Sequence, residues 1–223
     1  MRGNVLRILY RKQNTNNGND MKKNVLLMLF FVSLMANAQT PVGTWSIQPK
    51  IGINLATMTN DDSAETRVGL VAGAELEYQA TPLLSISGCA IYSQQGADGN
   101  TNGIKGTVKM DYVNVPVLAI FHVVDGLSVK VGIQPGFLIN DKVKVSANGV
   151  SAEVGLKEAY QAGGYNADIA SVDFSIPFGV SYEYRHFQFD ARYNLGLGKA
   201  ISIFGESTKH SVFQITIGYK LSL

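Results

Sequence analysis

The chain is 223 residues long, 46% hydrophobic, with a formal net charge of +2 and one cysteine. That length fits one domain, the lone Cys89 excludes a fold held by an internal disulfide, and so small a charge gives no basis for nucleic-acid binding. Six of the nineteen basic residues precede Ala38 against one acid, Asp20; the remainder has 13 basic and 16 acidic residues, a charge of −3.

The first 20 residues, MRGNVLRILYRKQNTNNGND, have no role in an export signal and read as an upstream extension, with Met21 as the true start. Residues 21–38 have the three parts of a secretory signal: Met21-Lys22-Lys23, the apolar run Val25 to Met35, and Ala36-Asn37-Ala38. An apolar core of about ten residues is half of what a spanning helix needs. Cleavage is expected after Ala38. No cysteine follows that site, which speaks against lipoprotein processing.

Residues 39–223 form one domain, in which eight stretches alternate apolar and polar side chains. Period two means strands whose two faces meet different surroundings. The first, about Trp45 to Leu55, sets Trp45, Ile47, Ile51 and Ile53 against Ser46, Gln48, Lys50 and Asn54. After a polar loop, Thr57 to Thr66, the second sets Val68, Leu70 and Leu76 against Gly69, Glu75 and Glu77. A tight connection at Ala80-Thr81-Pro82 leads to the third, with Leu84, Ile86, Ala90 and Tyr92 on one face. SQQGADGNTNGIKG then reads as a loop, because Gly and Asn dominate it.

The fourth and fifth strands form a hairpin within Tyr112 to Asn140. It turns at Val124-Asp125-Gly126, with Gly126 left-handed and Val123 facing Leu127. A long segment, Asp141 to Ala170, begins with KVKVSANGVSAEV, which suits a second hairpin on Asn148-Gly149. The sixth strand, from Val172 to Tyr184, and the seventh, from Phe187, join at Arg185-His186. A loop near Ala200 to His210 precedes the last strand, which carries Phe213, Ile215, Ile217 and Tyr219.

Long and short connections alternate, so an antiparallel meander gathers the long ones at one end. The fifth strand alternates over more than a dozen residues, whereas soluble strands usually run about five or six and a tilted membrane strand needs about 9–11. The expected fold is therefore all-β: an eight-stranded antiparallel up-and-down transmembrane β-barrel with short periplasmic turns and long extracellular loops. Trp45, Tyr78, Tyr184, Phe187 and Tyr219 near the turns, and Tyr92, Phe137, Tyr193 and Phe213 near the loops, suit two interfacial girdles. A secreted lipocalin-like barrel would alternate too, but with its apolar residues inside. Four in-strand prolines, Pro49, Pro116, Pro135 and Pro177, run against the pattern, since proline removes a ladder hydrogen bond and a closed barrel has no edge.

Tyr112-Val113-Asn114-Val115-Pro116 with Gly132-Ile133-Gln134-Pro135-Gly136 resembles the PorT-like, porin-family outer-membrane β-barrels common in Bacteroidota-type envelopes. Ser93-Gln94-Gln95-Gly96, Ile176-Pro177-Phe178-Gly179-Val180 and Ala191-Arg192-Tyr193-Asn194-Leu195 look like further strands of that family. The resemblance implies an eight-stranded barrel in the outer membrane, with a few relatives serving a protein-secretion machinery.

The inward rows place nine charges in the lumen: Lys50, Glu75, Glu77, Lys130, Asp173, Glu183, Asp190, Arg192 and Lys220. They could select ions in a channel. They could equally pair into a plug, since eight strands leave just enough room for side chains, and the near balance of signs favours the plug. Asp98-Gly99-Asn100-Thr101-Asn102-Gly103 matches half a calcium loop, but the twelfth position is Lys109. His122, His186 and His210 show no metal spacing, and only His210 with Ser207 or Ser211 offers a nucleophile pair. A non-catalytic barrel without cofactor is expected, monomeric in outer-membrane lipid, meeting an envelope or extracellular protein through loops such as Asp141 to Ala170. A narrow channel is the alternative.

Overall fold

Each alternating stretch pairs edge to edge with the next, and the last returns to the first. The computed structural model describes residues 41–59, 64–101, 104–147, 150–165, 167–203 and 206–223. Residues 1–40, including the expected signal and its cleavage site, lie outside the described residues. The elements are β1 (Trp45–Thr59), β2 (Arg67–Thr81), β3 (Leu84–Thr101), β4 (Ile104–Asn114), β5 (Val117–Val124) and β6 (Leu127–Ala147). They continue with β7 (Val150–Gly155), α1 (Leu156–Ala162), β8 (Ala167–Ile169), β9 (Val172–Tyr184) and β10 (Phe187–Gly196). β11 (Ile201–Ile203), β12 (Glu206–Tyr219) and β13 (Leu221–Ser222) complete the chain. β1, β2, β3, the joint β4/β5 wall, β6, β9, β10 and β12 pair in that order, all antiparallel, and β12 pairs back to β1. The ring is closed with eight walls.

Its outer face is apolar. Trp45, Ile51, Leu70, Ile86, Phe121, Ile133, Phe174 and Phe189 stand 45–64% exposed, while Gln48, Lys50, Glu75, Lys130 and Arg192 are buried within. This is the inverse of a lipocalin-like barrel, and an apolar belt so large suits lipid rather than water. Girdle residues meet across strands at the turn end: the Trp45 and Tyr78 rings lie 4.8 Å apart, those of Phe187 and Tyr219 5.3 Å.

The prolines sit where the ladder lapses without changing register. β1 pairs with β12 from Lys50↔Gly218 and with β13 at Ile47↔Leu221, and the interruption between the two stretches falls at Pro49. Pro116 divides β4 from β5, yet both halves keep one register on β3 and on β6. Its carbonyl still accepts from Cys89 N–H at 3.0 Å, and Pro135 on β6 accepts from Val115 N–H at 2.9 Å. In each of these pairs one reciprocal bond is kept and the other has no N–H to make it. Pro177 faces the gap between Val131↔Phe178 and Gln134↔Ser175 in the β6–β9 ladder.

Several connections differ from the sequence expectation. Val124 pairs with Leu127 and His122 with Ser128, so the turn is Asp125-Gly126 alone, with Val123 bulged and Gly126 at φ +74°. SQQGADGNTNGIKG is strand rather than loop: β3 and β4 pair from Gly96↔Lys109 to Thr101↔Ile104. Asn102-Gly103 lie outside the described residues, as do Asn148-Gly149, although β6 and β7 pair from Lys142↔Gly155 to Ala147↔Val150 as that hairpin requires. Asp141 to Ala170 is a hairpin followed by α1 and β8, and β8 joins β11, which pairs in turn with β12. The loop end is thus built of strands that outrun the membrane.

There the inside-out rule reverses. The inner row of β1 passes from Ser46, Gln48, Lys50 and Asn54 to Ala56 and Met58, both buried. On β6 a bulge does the same work: Asp111 pairs with Asn140 but Tyr112 with Leu138, leaving Ile139 as the extra residue. An extra residue shifts the parity of every position after it. The odd row that faces outward through Ile139 therefore faces inward at Val143. Val143, Val108 and Leu138 pack on a cluster of Met58, Ala97, Met110, Tyr112, Leu156, Ala167, Ala200 and Ile201. Leu156, the first residue of α1, is its wholly buried contribution from the segment after β7.

Candidate functional site: the charged interior

Period-two pairing aims the inner rows of eight strands at one axis, so charged side chains distant in sequence meet there. Lys50, Glu75, Glu77, Lys130, Asp173, Asp190, Arg192 and Lys220 are all buried on this inner face; Glu183, at the turn end, is half-buried.

Two clusters hold most of them. In the central one, Lys130 Nζ is 2.7 Å from the Asp190 carboxylate and 3.4 Å from Glu75, and donates to Gln188 Oε1 at 2.9 Å. Lys50 binds the other oxygen of Glu75, and Arg192 Nε lies 3.3 Å from Asp190. Gly73, cross-strand from Lys50, is forced by the wall itself, since a Cβ there would meet Ala90 O at 2.2 Å. At the turn end, Lys220 bridges Glu77 at 3.2 Å and Glu183 at 3.1 Å. His122 lies 3.9 Å from Glu77, its two ring nitrogens hydrogen-bonded to Ser85 and Ser128. Charges so enclosed are costly unless paired and hydrogen-bonded, and these are both.

Asp173 stands apart. Its Oδ1 accepts from Phe174 N–H at 2.8 Å, and no cation pairs with it among the described residues. It lines a small polar cavity with Gln95, Asn114, Gln134, Asn194 and His210, between the central ion cluster and the apolar cluster. On the β1, β10 and β12 walls, Gln48, Arg192 Nη1, Asn194 Oδ1, Gln214 Nε2 and Thr216 Oγ1 are buried without a protein partner among the described residues; water ordinarily meets such groups.

Sequence reasoning missed Arg67 and His210 as parts of this interior. Arg67 is buried, with Nη1 donating to the Gln95 carbonyl; it shares parity with Gly69 and Glu75, a usable signal. His210 lies inside rather than in a loop, its Nε2 3.1 Å from Tyr112 Oη. Both serines lie on the other face of β12 from it. Ser211 is on the opposite face, bonded to Tyr193 Oη at 2.7 Å, and Ser207 shares that parity and lies opposite Ser202. The half calcium loop is broken up as well: Asp98 lies cross-strand from Thr107 and bridges to Glu65, and Lys109 is paired with Glu153. No group of three or more His, Cys, Asp or Glu among the described residues could hold a metal ion.

A closed antiparallel ring, apolar outside and ionic within, is the geometry of a membrane-spanning barrel. The model of the outer membrane protein beta-barrel domain matches residues 36–202. The chain belongs to this family. Members of the outer membrane β-barrel family sit in the outer membrane, and the belt described above supplies the lipid-facing surface. No curated protein matches the sequence. Among solved structures, the attachment invasion locus protein Ail of Yersinia pestis is similar at 17% identity and TM-score 0.46, over 81% of this chain and 100% of that one. Neisserial surface protein A gives 12% and 0.45 over 79% and 97%, and OprG of Pseudomonas aeruginosa 13% and 0.43 over 82% and 98%. At this distance the barrel assignment rests on strand order and the family match.

Proposed function

We propose that this outer-membrane barrel is a non-catalytic scaffold, anchored as a monomer in lipid, that engages an envelope or extracellular protein through its loop end. The lumen serves as an ionic plug. The central cluster carries this reading: Lys50, Glu75, Lys130, Asp190 and Arg192 are each at most 4% exposed, and Lys130 links β6 to β2 and β10 across the lumen. The apolar cluster lies beyond them toward the loop end, to which the segment 141–170 contributes β7, α1 and β8. Planar-bilayer recording tests the plug, since a steady single-channel current would contradict it. Replacing residues 141–170 by a short turn tests the partner reading; the partner should be lost from pull-downs while the barrel stays folded.

A narrow channel is the second reading, favoured by the unpartnered polar groups along β1, β10 and β12. The resemblance to PorT-like barrels supports a third, an accessory barrel of a secretion machinery in a Bacteroidota-type envelope, tested by co-purification with secretion components. Export would follow from the signal at residues 21–38, and the intact mass of the mature protein checks cleavage after Ala38.

A further inference from the structure

The lipid-facing wall is not evenly filled. A groove of about 590 Å³ crosses β1, β2, β3 and the β4/β5 wall, rimmed by Trp45, Leu76, Tyr78 and Val117, with Gly88 and Ala90 between. Leu76 and Val117 both lie directly opposite Gly88, so a glycine separates two exposed aliphatic side chains. Gly88 differs from the inner glycines. A Cβ added at Gly52, Gly69, Gly73, Gly132 or Gly179 would strike neighbouring backbone at 1.9–2.3 Å, whereas one added at Gly88 meets nothing within 4 Å among the described residues. Packing among the described residues therefore gives no reason for glycine there, and glycine inside a strand weakens it. The room is left for something outside the chain.

We infer that this groove seats one acyl chain of a phospholipid from the leaflet at the turn end. The groove is continuous with the lipid-facing belt and almost wholly apolar, so hydrocarbon is the medium it meets. Its length fits: from Tyr78 at the interface to Ala74 is four residues, about 13 Å along a strand, close to one leaflet's share of a core about 30 Å thick. The Trp45–Tyr78 ring pair stands at the mouth, where headgroups lie. A chain lying over Gly88 would fill the notch between Leu76 and Val117 and recover dispersion contacts that neither side chain can make across it.

Trp45 is the only tryptophan in the sequence, so its fluorescence reports on the mouth directly. The full chain, folded in detergent, is titrated with phosphatidylcholine brominated along one acyl chain. Saturable quenching that levels off near one lipid per protein is expected. Gly88→Phe, which fills the notch, should raise the lipid needed by about tenfold, equivalent to about 1.4 kcal/mol; Val131→Phe, on the same outer face but outside the groove, should leave the curve unchanged. Ala90→Phe is the second groove-filling variant, and each is accepted only with the heat-modifiable mobility of a folded barrel. Quenching that never saturates, or that is the same in both groove variants and wild type, would overturn the assignment. A cross-linked dimer abolished by Gly88→Phe would overturn it too, giving the groove to a second copy of the chain.

Discussion

Lys130 on β6 and Asp190 on β10 meet at 2.7 Å across the intervening wall of β9, and Lys130 reaches Glu75 from the same position. One ammonium group thereby ties three walls. Lys130→Met should cost about 3–5 kcal/mol, the usual penalty for leaving buried charges without their partner. Urea unfolding in lipid vesicles measures it. Adding Asp190→Asn should recover part of the loss, and a loss below about 1 kcal/mol, the range of exposed pairs, would mean the interior is well hydrated.

Inserting one alanine between Asn140 and Asp141 keeps the bulge at Ile139 but reverses every later side chain on β6. Val143 would turn outward and Lys142 and Lys144 inward against the apolar cluster. Limited proteolysis should then cut residues 140–155 at least about tenfold faster, tracking a loss of local stability near 1.4 kcal/mol or more, while the membrane-embedded part stays resistant. Equal cutting rates in both proteins would show that the residue count after the bulge does not set the face.

Leu156→Ala should act only at the loop end. Truncating a fully buried leucine typically costs about 2–5 kcal/mol, and Leu156 is wholly buried in the Met58–Met110–Tyr112 cluster. Hydrogen exchange should quicken across α1, β8 and β11, with β9 and β10 unchanged at mid-depth. Tyr112→Phe should have a smaller effect, about 1 kcal/mol, from the lost hydrogen bond to His210.

Acid should loosen the β6–β7 hairpin. A hydrogen bond from Lys109, helped by the charges of Lys109 and Lys142, lowers the Glu153 carboxyl below its ordinary value. A depressed carboxylate pKa gives stability that is complete above the unfolded value, about 4.3, and is lost as pH falls through the lower folded value. Amide exchange in β7 should therefore accelerate below about pH 4. Glu153→Gln should abolish that dependence and behave at neutral pH as wild type does in acid.

The wall of this barrel was legible because one contrast, lipid outside and polar groups inside, repeats at every second residue. From Trp45 to Leu55 and from Val172 to Tyr184 the rows follow the sequence pattern residue by residue. Legibility stopped where the surroundings changed. Val143 and Val145 continue the odd apolar row of β6, and nothing in the sequence marks Ile139 as the point of reversal. The Gly- and Asn-rich stretch after Ser93 looks like a loop because backbone pairing asks little of side chains once one face no longer meets lipid. His210 and Tyr112 are 98 residues apart, so their meeting depends on ring closure, which no local pattern encodes.

Pro116 and Pro135 sit in the same two-residue gap between β4/β5 and β6, facing Gln134 and Val115, and Pro177 leaves its gap on the far side of β6. This makes the middle of β6 the least stitched part of the staves. A force applied to either end of the chain in a bilayer would find a tear line there, and the molecule should unravel in two stages, with the walls before β6 and those after it letting go as separate blocks.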